Sequence, residues 1–313
     1  MKPSFPLAFC RLVLIGYIIL GSPLHLFALD GNKIPSQYSR NVWQIENGLP
    51  SNTIPSVFQS HNGYVWLSTF EGLVRFDGVK FTNFDQNNFP LLAGNSILSV
   101  TEDKINNLFF GTRTSGLYKF EEKKITRVGH QRMFGSIHKL FTDASGVVWI
   151  GSSNGVFRLD NGTPVEVIKA EQLPQGFKYS FCNGNQAVWI GTPDGLYKYT
   201  SGSPVRENGF PQAVVTALCS DKLGNVWVAA SDNVVKLSKG DAQMSIMVAR
   251  FSNSPVQSLI SDKDGNLWIG TTHGLSRVGL NGQLTNFTED LVPDDAVLSL
   301  YEDREGSLWV GTF

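Results

Sequence analysis

Residues 256–278 read VQSLISDKDGNLWIGTTHGLSRV, and this stretch decides the fold. It begins with a short strand-like run, Val256 to Ile260, and then turns between Asp262 and Gly265. A second apolar run follows around Trp268. Asp and Gly favour tight turns, because Asp can bond to the backbone two residues on and Gly tolerates positive φ. The stretch therefore opens as two strands joined by a short turn.

The chain then turns twice more. Gly274 precedes a third run that begins at Leu275, and Asn281-Gly282 precedes a fourth run from Gln283 to Phe287. Successive short strands joined by such turns form an antiparallel meander. The stretch and its continuation thus predict a four-stranded antiparallel sheet.

The same motif recurs along the chain, and one large aromatic residue marks each copy. These residues are Trp66, Phe109, Trp149, Trp189, Trp227, Trp268 and Trp309. They lie 43, 40, 40, 38, 41 and 41 positions apart. A period near 40 residues is typical of β-propeller blades with four strands each. We therefore predict an all-β, seven-bladed β-propeller of four-stranded antiparallel blades, in which the aromatic rings fill the space between neighbouring blades.

Two further positions of the repeat have structural explanations. A short polar residue stands six positions before each aromatic residue: Ser60, Asp103, Asp143, Asn183, Asp221, Asp262 and Asp303. We expect each side chain to accept a hydrogen bond from the backbone of its own turn. Small pairs such as Gly-Thr, Gly-Ser, Ser-Thr and Ala-Ala follow the aromatic motif. They predict close approach of the next blade.

The seventh copy differs from the others. It begins at Val297 and has two strands before the sequence given reaches Phe313. Residues Val42 to Glu46 resemble a fourth strand, and we predict that they join the last blade and close the ring. The last blade would then be incomplete, completed only in part by the N-terminal strand. We also expect a longer protein, of which this chain is the N-terminal part.

The N-terminus has the features of an export signal. Lys2 and Arg11 are basic, and residues 12–20 are apolar. This run is about half as long as the ~20 residues that span a bilayer. We predict a signal peptide at 1–28, a linker at 29–37 and the propeller at 38–313. The formal net charge is −1, which does not favour a nucleic-acid-binding protein.

Two cysteines remain after the predicted signal peptide, Cys182 and Cys219. They are too few for a disulfide scaffold. They fall near the same point of neighbouring repeats, so two interpretations stay open: a disulfide bridge, or two buried small apolar residues.

A binding site is predicted on one rim of the propeller. The turns between second and third strands lie on this rim, beside the longer connections between blades. Variable loops held by a rigid scaffold commonly carry function. The candidate ligand-binding residues in these turns are Phe70, Glu71, Arg113, Asn154, Asp194, Asp232 and His273. Their aromatic and hydrogen-bonding groups would suit a sugar or another small polar ligand, although each could also be an ordinary solvated loop residue.

Two other functions compete with ligand sensing. An enzyme would need a metal or an acid–base cluster, and the histidines outside the signal peptide share no repeat position. These are His61, His130, His138 and His273. We therefore expect no catalytic residue, cofactor or metal. A protein–protein scaffold is the second alternative, because propellers serve many unrelated functions.

The sequence resembles a known family at several places. Residues 43–50 (WQIENGLP), 72–78 (GLVRFDG), 264–271 (DGNLWIGT) and 305–312 (EGSLWVGT) are similar to the repeats of two-component regulator propeller proteins. The resemblance covers about residues 38–313. It implies a periplasmic sensor of a hybrid histidine kinase or a diguanylate cyclase, anchored in the inner membrane in full-length relatives. It also implies a small-molecule or glycan ligand, a cytoplasmic output domain as partner, and a homodimer.

Overall fold

The computed structural model describes residues 37–92, 96–121, 124–130, 132–174, 178–241, 245–287 and 296–313. The predicted signal peptide, nearly all of the predicted linker and the connection 288–295 lie outside the described residues. Within the described ranges, no helix combines the length and the apolar character needed to cross a lipid bilayer.

Each repeat forms one antiparallel sheet, and the sheets are called blades one to seven in chain order. Blades one to three contain β1 (Ser56–Gln59), β2 (Val65–Thr69), β3 (Gly72–Phe76), β4 (Phe81–Phe84), β5 (Ile97–Glu102), β6 (Leu108–Thr112), β7 (Leu117–Glu121), β8 (Lys124–Val128), β9 (Ile137–Thr142), β10 (Val148–Ser152), β11 (Gly155–Asp160) and β12 (Thr163–Lys169). Blades four to seven contain β13 (Ser180–Gly184), β14 (Ala187–Thr192), β15 (Gly195–Tyr199), β16 (Val205–Arg206), β17 (Val215–Ser220), β18 (Val226–Ala230), β19 (Asn233–Leu237), β20 (Ser245–Arg250), β21 (Val256–Ser261), β22 (Leu267–Thr271), β23 (Gly274–Val278), β24 (Leu284–Phe287), β25 (Val297–Glu302) and β26 (Leu308–Thr312). Short 3-10 helices lie at Ile45–Asn47, Pro90–Leu92, Ala170–Gln172 and Ser238–Gly240.

Six blades have four strands in meander order, and blade seven has the two strands β25 and β26. In β22, Trp268 lies opposite Ile260 of β21 and Arg277 of β23. The predicted all-β propeller of four-stranded antiparallel blades is therefore confirmed for six blades. The seventh repeat is a two-stranded partial sheet.

In five blades an Asp residue organises the turn before the second strand. In blade six, Oδ1 of Asp262 accepts hydrogen bonds from the backbone N–H of Asp264 (3.0 Å) and Asn266 (2.8 Å), as predicted. Oδ2 accepts two more, from Nδ2 of Asn266 (2.9 Å) and from the indole N–H of Trp268 (2.8 Å). The bond to the indole was not predicted. It links the turn to the blade aromatic and satisfies a buried donor.

The same indole bond occurs in other blades. Asp143 accepts it from Trp149 at 2.8 Å and Asp303 from Trp309 at 2.8 Å. Blade two has Phe109, whose side chain has no N–H, and there Oδ2 of Asp103 accepts a hydrogen bond from Nδ2 of Asn107 at 2.8 Å but none from the ring. The polar turn residue and the aromatic residue therefore act as a pair.

Close packing between blades explains the small residues after the aromatic motif. A Cβ added to Gly270 would lie 2.5 Å from Cγ1 of Val297 in blade seven. A Cβ on Gly111 would lie 2.3 Å from Cγ2 of Ile137 in blade three. Such distances are shorter than carbon atoms tolerate, so a larger side chain would separate the blades. The predicted close approach is confirmed at these positions.

Most of the blade aromatics are buried between neighbouring blades. Trp66 of β2 shares one apolar cluster with Val100 and Phe110 of blade two. Trp149, Trp189 and Trp268 are among the largest fully buried side chains. Cys182 and Cys219 are buried and not bridged, so the apolar interpretation of the two cysteines is confirmed and the disulfide interpretation is wrong.

The predicted strand at Val42 to Glu46 does not form. The backbone there folds into a turn, in which Gly48 N–H donates to the carbonyl of Ile45 at 3.0 Å and Gly48 has a φ of 102°. The N–H of Gln44 is bonded to Oδ1 of Asn47 at 2.8 Å. Because these local bonds use the backbone groups that a sheet would need, the segment cannot pair with blade seven as a strand.

The N-terminal segment contacts blade seven through its aromatic ring instead. Trp43 stacks on Trp309 with centroids 5.2 Å apart and planes at 12°, and it lies 5.6 Å from Phe76 of blade one. Blades seven and one also contact each other directly: Ile54 N–H donates to the carbonyl of Thr312 at 2.9 Å, and Ser299 Oγ donates to that of Ile54 at 3.0 Å. The ring is thus closed by contact between these two blades rather than by a shared sheet.

Candidate functional site

A central channel with a volume of about 560 Å³ runs between the blades. Its walls come mainly from the first strand of every blade, β1, β5, β9, β13, β17, β21 and β25. The inner strands place residues of all seven repeats around one axis. A pocket of this volume is of the size that accepts a small molecule.

Five inner strands carry an irregularity that changes which residue faces the channel. The pairing with the second strand skips one residue in each: Leu98, His138, Thr216, Gln257 and Leu298. All five line the channel. A β-bulge adds an unpaired residue and redirects its side chain, and bulges are frequent beside active and binding sites.

The fourth blade has no such shift at the corresponding point. Lys178, which precedes β13, lines the channel there. Its Nζ donates a hydrogen bond of 2.5 Å to Oε1 of Gln257. Since Gln257 belongs to blade six, this bond crosses the end of the channel and joins two blades that are not neighbours.

His138 lies in the same polar group. Its ring stacks on Tyr179 with centroids 6.2 Å apart, and its Nε2 is 3.0 Å from Oγ of Ser153. Burial, followed by the positive charges of Arg113 and Lys178, lowers the pKa of His138 from 6.5 to about 4. The imidazole is therefore neutral at pH 7, where it can act as a hydrogen-bonding group without carrying charge.

A second lysine, Lys139, lines the channel next to His138 and is half-buried. Burial lowers the pKa of Lys139 and also that of Lys178. Among the described residues that form the channel wall there is no Asp or Glu. The channel thus combines two amines with a neutral imidazole and an uncharged amide.

Aromatic rings form much of the remaining wall. Phe141 and Phe181 stack at 6.1 Å with planes at 8°, and Phe58 lies 6.0 Å from Tyr301. All four rings line the channel. Their faces provide apolar surface for the body of a ligand, while the amines provide charge.

Two of the seven candidate residues from the sequence are brought together beside this channel. Phe70 lines it, and the guanidinium carbon of Arg113 lies 5.2 Å from the centre of the Phe70 ring. Glu71 is exposed at the same turn, where its backbone N–H donates to Thr69 Oγ1 at 3.1 Å. The predicted rim is therefore the end of the propeller at which the bulged residues lie.

The other four candidates make local contacts and do not line the channel. Asn154 donates to the carbonyl of Met133 at 3.1 Å, and Asp194 forms an ion pair with Arg206 at 3.4 Å. These bonds hold connections of blades three and four.

Asp232 forms an ion pair with Arg250 at 3.3 Å, and Nδ1 of His273 is 3.0 Å from Thr272 Oγ1. A ligand-binding role for the seven rim residues stays a prediction.

The channel residues were missed because they are departures from the repeat. Lys139 lies opposite Gly151, and the residues at the equivalent position opposite the second strand are Ser56, Ser99, Ser180, Ala217, Ser258 and Ser299. One lysine among small residues is a signal that the sequence does contain. Over the residues that the structure describes, no group of three or more His, Cys, Asp or Glu is placed to hold a metal ion.

Comparison with known proteins agrees with this architecture. A family model for the two component regulator propeller matches residues 48–71, 250–273 and 291–313. Histidine kinase P4 of Formosa agariphila is 26% identical over 127 residues, which cover 37% of this chain and 9% of the kinase.

Solved structures share the fold. The extracellular domain of BT4673 from B. thetaiotaomicron, assigned as a one-component system, has a TM-score of 0.71 and 18% identity, covering 85% of this chain and 38% of that one. Streptogramin B lyase has a TM-score of 0.69 and 13% identity, covering 85% of this chain and 92% of the lyase. The chain spans well under half the length of the kinase and of the BT4673 domain. The repeats, the blades and the three matched segments agree, and the chain is similar to proteins built from two-component regulator propeller repeats.

Proposed function

We propose that this chain is the ligand-binding sensor propeller of a bacterial signalling receptor. In this proposal it is exported to the periplasm, binds a small extracellular molecule, and passes the signal to a cytoplasmic kinase or diguanylate cyclase. The family of its repeats and the similarity to a histidine kinase support a signalling role. Binding rather than catalysis is proposed, because the described part of the channel wall combines amines, a neutral imidazole and aromatic faces that can hold a small ligand.

The central channel is the observation that carries the proposal. Side chains from all seven inner strands surround it, and five of them are redirected by bulges. A ligand there would contact several blades at once. Its binding would therefore shift the blades relative to one another. A receptor needs such a structural change in order to pass on a signal.

Aromatic faces next to hydrogen-bonding groups favour a carbohydrate or another small polar molecule. Tyr179 and Tyr301 each offer a ring, and Gln257 and Thr216 offer polar groups to the channel. Sugars stack on aromatic faces through their C–H groups and bond through their hydroxyls. The sugar class is therefore included in the test below.

The test is thermal unfolding of the purified chain with a panel of neutral sugars, sugar acids, amino acids and aromatic acids. A ligand present at about 100 times its Kd stabilises the folded state by ~2.7 kcal/mol. For a domain of this size we expect Tm to rise by about 5 °C. Absence of a shift with every class would count against a sensor that works through this chain alone.

A pair of variants locates the ligand. Thr216→Trp places a large ring in the channel, whereas Leu223→Trp adds the same ring at a turn where the side chain is 78% exposed. We expect Thr216→Trp to abolish the ligand-induced shift and Leu223→Trp to preserve it. A shift retained in Thr216→Trp would place the site elsewhere, for example on the rim.

A protein–protein scaffold is the second candidate function. The outermost strand of blade five, β20, exposes Ile246 (59%) and Met247 (63%). Exposed apolar side chains on an outer strand favour contact with another protein. If that contact is the function, Ile246→Lys would abolish partner capture while the response to ligands stays unchanged.

A lyase or hydrolase is the third candidate, and its support is the fold shared with Streptogramin B lyase. At 13% identity this likeness concerns the fold alone. Incubation of the chain with the ligand found above, followed by chromatography of the mixture, decides the point. Turnover of that ligand would replace the sensor proposal with an enzyme.

A further inference from the structure

We propose that the central channel recognises a small organic anion, through a carboxylate or sulfate group held by Lys139 and Lys178. The inference deepens the proposed function and rests on it, since it names the chemical class of the ligand.

The charge of the channel differs in sign from that of the chain. The whole chain has a formal net charge of −1, with 27 acidic and 26 basic residues. The channel wall, within the described residues, contains two lysines and no acid. Arg113 adds a third positive charge beside it, because its guanidinium lies over Phe70 and its charge acts on His138. A concave surface with one sign of charge concentrates ligands of the opposite sign.

Lys139 has no structural task that accounts for it. In blades two, six and seven the residue at its position is a serine that bonds to the next blade: Ser99 accepts from Leu140 at 2.9 Å, Ser258 donates to Val297 at 3.1 Å, and Ser299 donates to Ile54 at 3.0 Å. The side chain of Lys139 makes no hydrogen bond or ion pair with any residue that the structure describes.

A half-buried amine without a partner loses hydration and gains nothing from the protein. That loss is the physical reason for the lowered pKa of Lys139. An anion in the channel would offset it by pairing with the amine. A lysine retained where small residues would pack well is thus best explained by a ligand.

Lys178 lies at the end of the channel and is more exposed than Lys139. Its hydrogen bond to Gln257 is with a neutral amide and leaves the positive charge uncompensated. The ammonium group has three donors, so it can keep this bond and still donate to an anion. Lys139 and Lys178 belong to neighbouring blades, and a single carboxylate or sulfate can accept from two amines.

The walls indicate the nature of the rest of the ligand. Phe58, Phe141, Phe181 and Tyr301 surround the interior. A flat or ring-shaped body would pack on these faces while its acidic group meets the lysines. Sugar acids and aromatic acids both fulfil this description, and the experiment separates them.

The probe pair for the test is 8-anilinonaphthalene-1-sulfonate and N-phenyl-1-naphthylamine, which share the same ring system and differ in the sulfonate. Fluorescence titration of the purified chain gives both Kd values. We expect the sulfonate to bind at least 10-fold more tightly than the neutral amine. Equal affinities would overturn the inference, because the charge would then contribute nothing.

Three variants tie the result to the channel. Lys139→Met and Lys178→Met remove one charge each, and Lys124→Met removes the same charge from the exposed outer strand β8. We expect the first two to weaken the sulfonate at least 10-fold and leave the neutral probe unchanged, and the third to leave both unchanged. If all three variants bind the sulfonate like the wild-type chain, the inference is refuted. Thermal unfolding of each variant verifies that it is folded.

Competition with glucuronate, glucose and benzoate then names the class. Displacement of the sulfonate by glucuronate but not glucose indicates a sugar acid, and displacement by benzoate indicates an aromatic acid. Displacement by glucose as effectively as by glucuronate would refute the anionic ligand and leave the sensor proposal intact. The sensor proposal fails separately, when no molecule of any class raises Tm.

Discussion

The hydrogen bond between Asp262 and Trp268 gives the most quantitative prediction of this structure. Asp262 is 2% exposed, and its two oxygens accept four hydrogen bonds, one of them from the indole N–H at 2.8 Å. Hydrogen bonds to a charged group contribute about 1.5–3 kcal/mol each, and a buried donor left unsatisfied costs ~1–3 kcal/mol. Water can reach some of the turn donors, so we expect Asp262→Ala to destabilise the chain by about 4 kcal/mol.

A double-mutant cycle isolates the indole bond. Trp268→Phe removes the donor and keeps an aromatic ring, so Asp262→Ala should cost less in that background than in the wild-type chain. The coupling free energy should be about 1.5–3 kcal/mol. The four chains are compared by urea unfolding, with the same slope required in each for a valid comparison.

Blade two provides a matched control within the same molecule. Asp103 accepts bonds from the backbone of Ile105 (3.0 Å) and Asn107 (2.8 Å), yet Phe109 gives it no indole partner. Asp103→Ala should therefore cost about 1.5–3 kcal/mol less than Asp262→Ala. A coupling below about 0.5 kcal/mol, together with equal losses at both sites, would refute the role assigned to the indole bond.

Two further predictions concern the channel and the ring closure. The pKa of His138 is about 4 in the folded chain against 6.5 ordinarily, so the unfolded chain binds the extra proton first and stability falls as pH drops from 6.5 towards 4. Partial exposure of the ring limits this loss of stability to about 1–2 kcal/mol. Urea unfolding at pH 7 and pH 4.5 should therefore show a smaller loss in His138→Asn than in the wild-type chain. Equal losses in the two chains would contradict the lowered pKa. Trp43 stacks on Trp309 at 5.2 Å, so Trp43→Ala should cost about 2 kcal/mol and lower Tm by several degrees, whereas Val42→Ala, at a side chain that is 52% exposed, should leave Tm unchanged. A Tm unaltered by Trp43→Ala would show that the stack does not help to close the ring.

The blade architecture could be predicted because each of its determinants is local and repeated. The turn at Asp262 and Gly265, the aromatic Trp268 and the small Gly270 stand close together in the sequence, and seven copies make the pattern unmistakable. The indole bond was missed for a different reason. Period and turn chemistry show that Asp and Trp recur together, but they do not show that the carboxylate reaches the ring.

The ring closure could not be predicted from strand-like composition alone. Val42 to Glu46 has the residues of a strand. The side chains of Asn47 and Asn52, however, bond to its backbone, and Gly48 turns the chain with a positive φ. Whether this segment forms a local turn or pairs with the edge of blade seven depends on the folded geometry. Trp43 nevertheless contacts blade seven, through its ring rather than through a strand.

The position of the channel explains why only Phe70 and Arg113, of the seven residues predicted on the rim, lie beside it. A search for function in variable loops finds Phe70 and Arg113, which lie at the mouth, but it passes over the inner strands. A β-bulge leaves one residue of an inner strand unpaired with the second strand, so the pairing does not fix the identity of that residue. At the five bulges stand Leu98, His138, Thr216, Gln257 and Leu298, which comprise two leucines, an imidazole, a hydroxyl and an amide. Residues that hold the blades together must be alike, whereas residues that meet one asymmetric ligand must differ, and the inner ring of this propeller differs where its side chains face the channel.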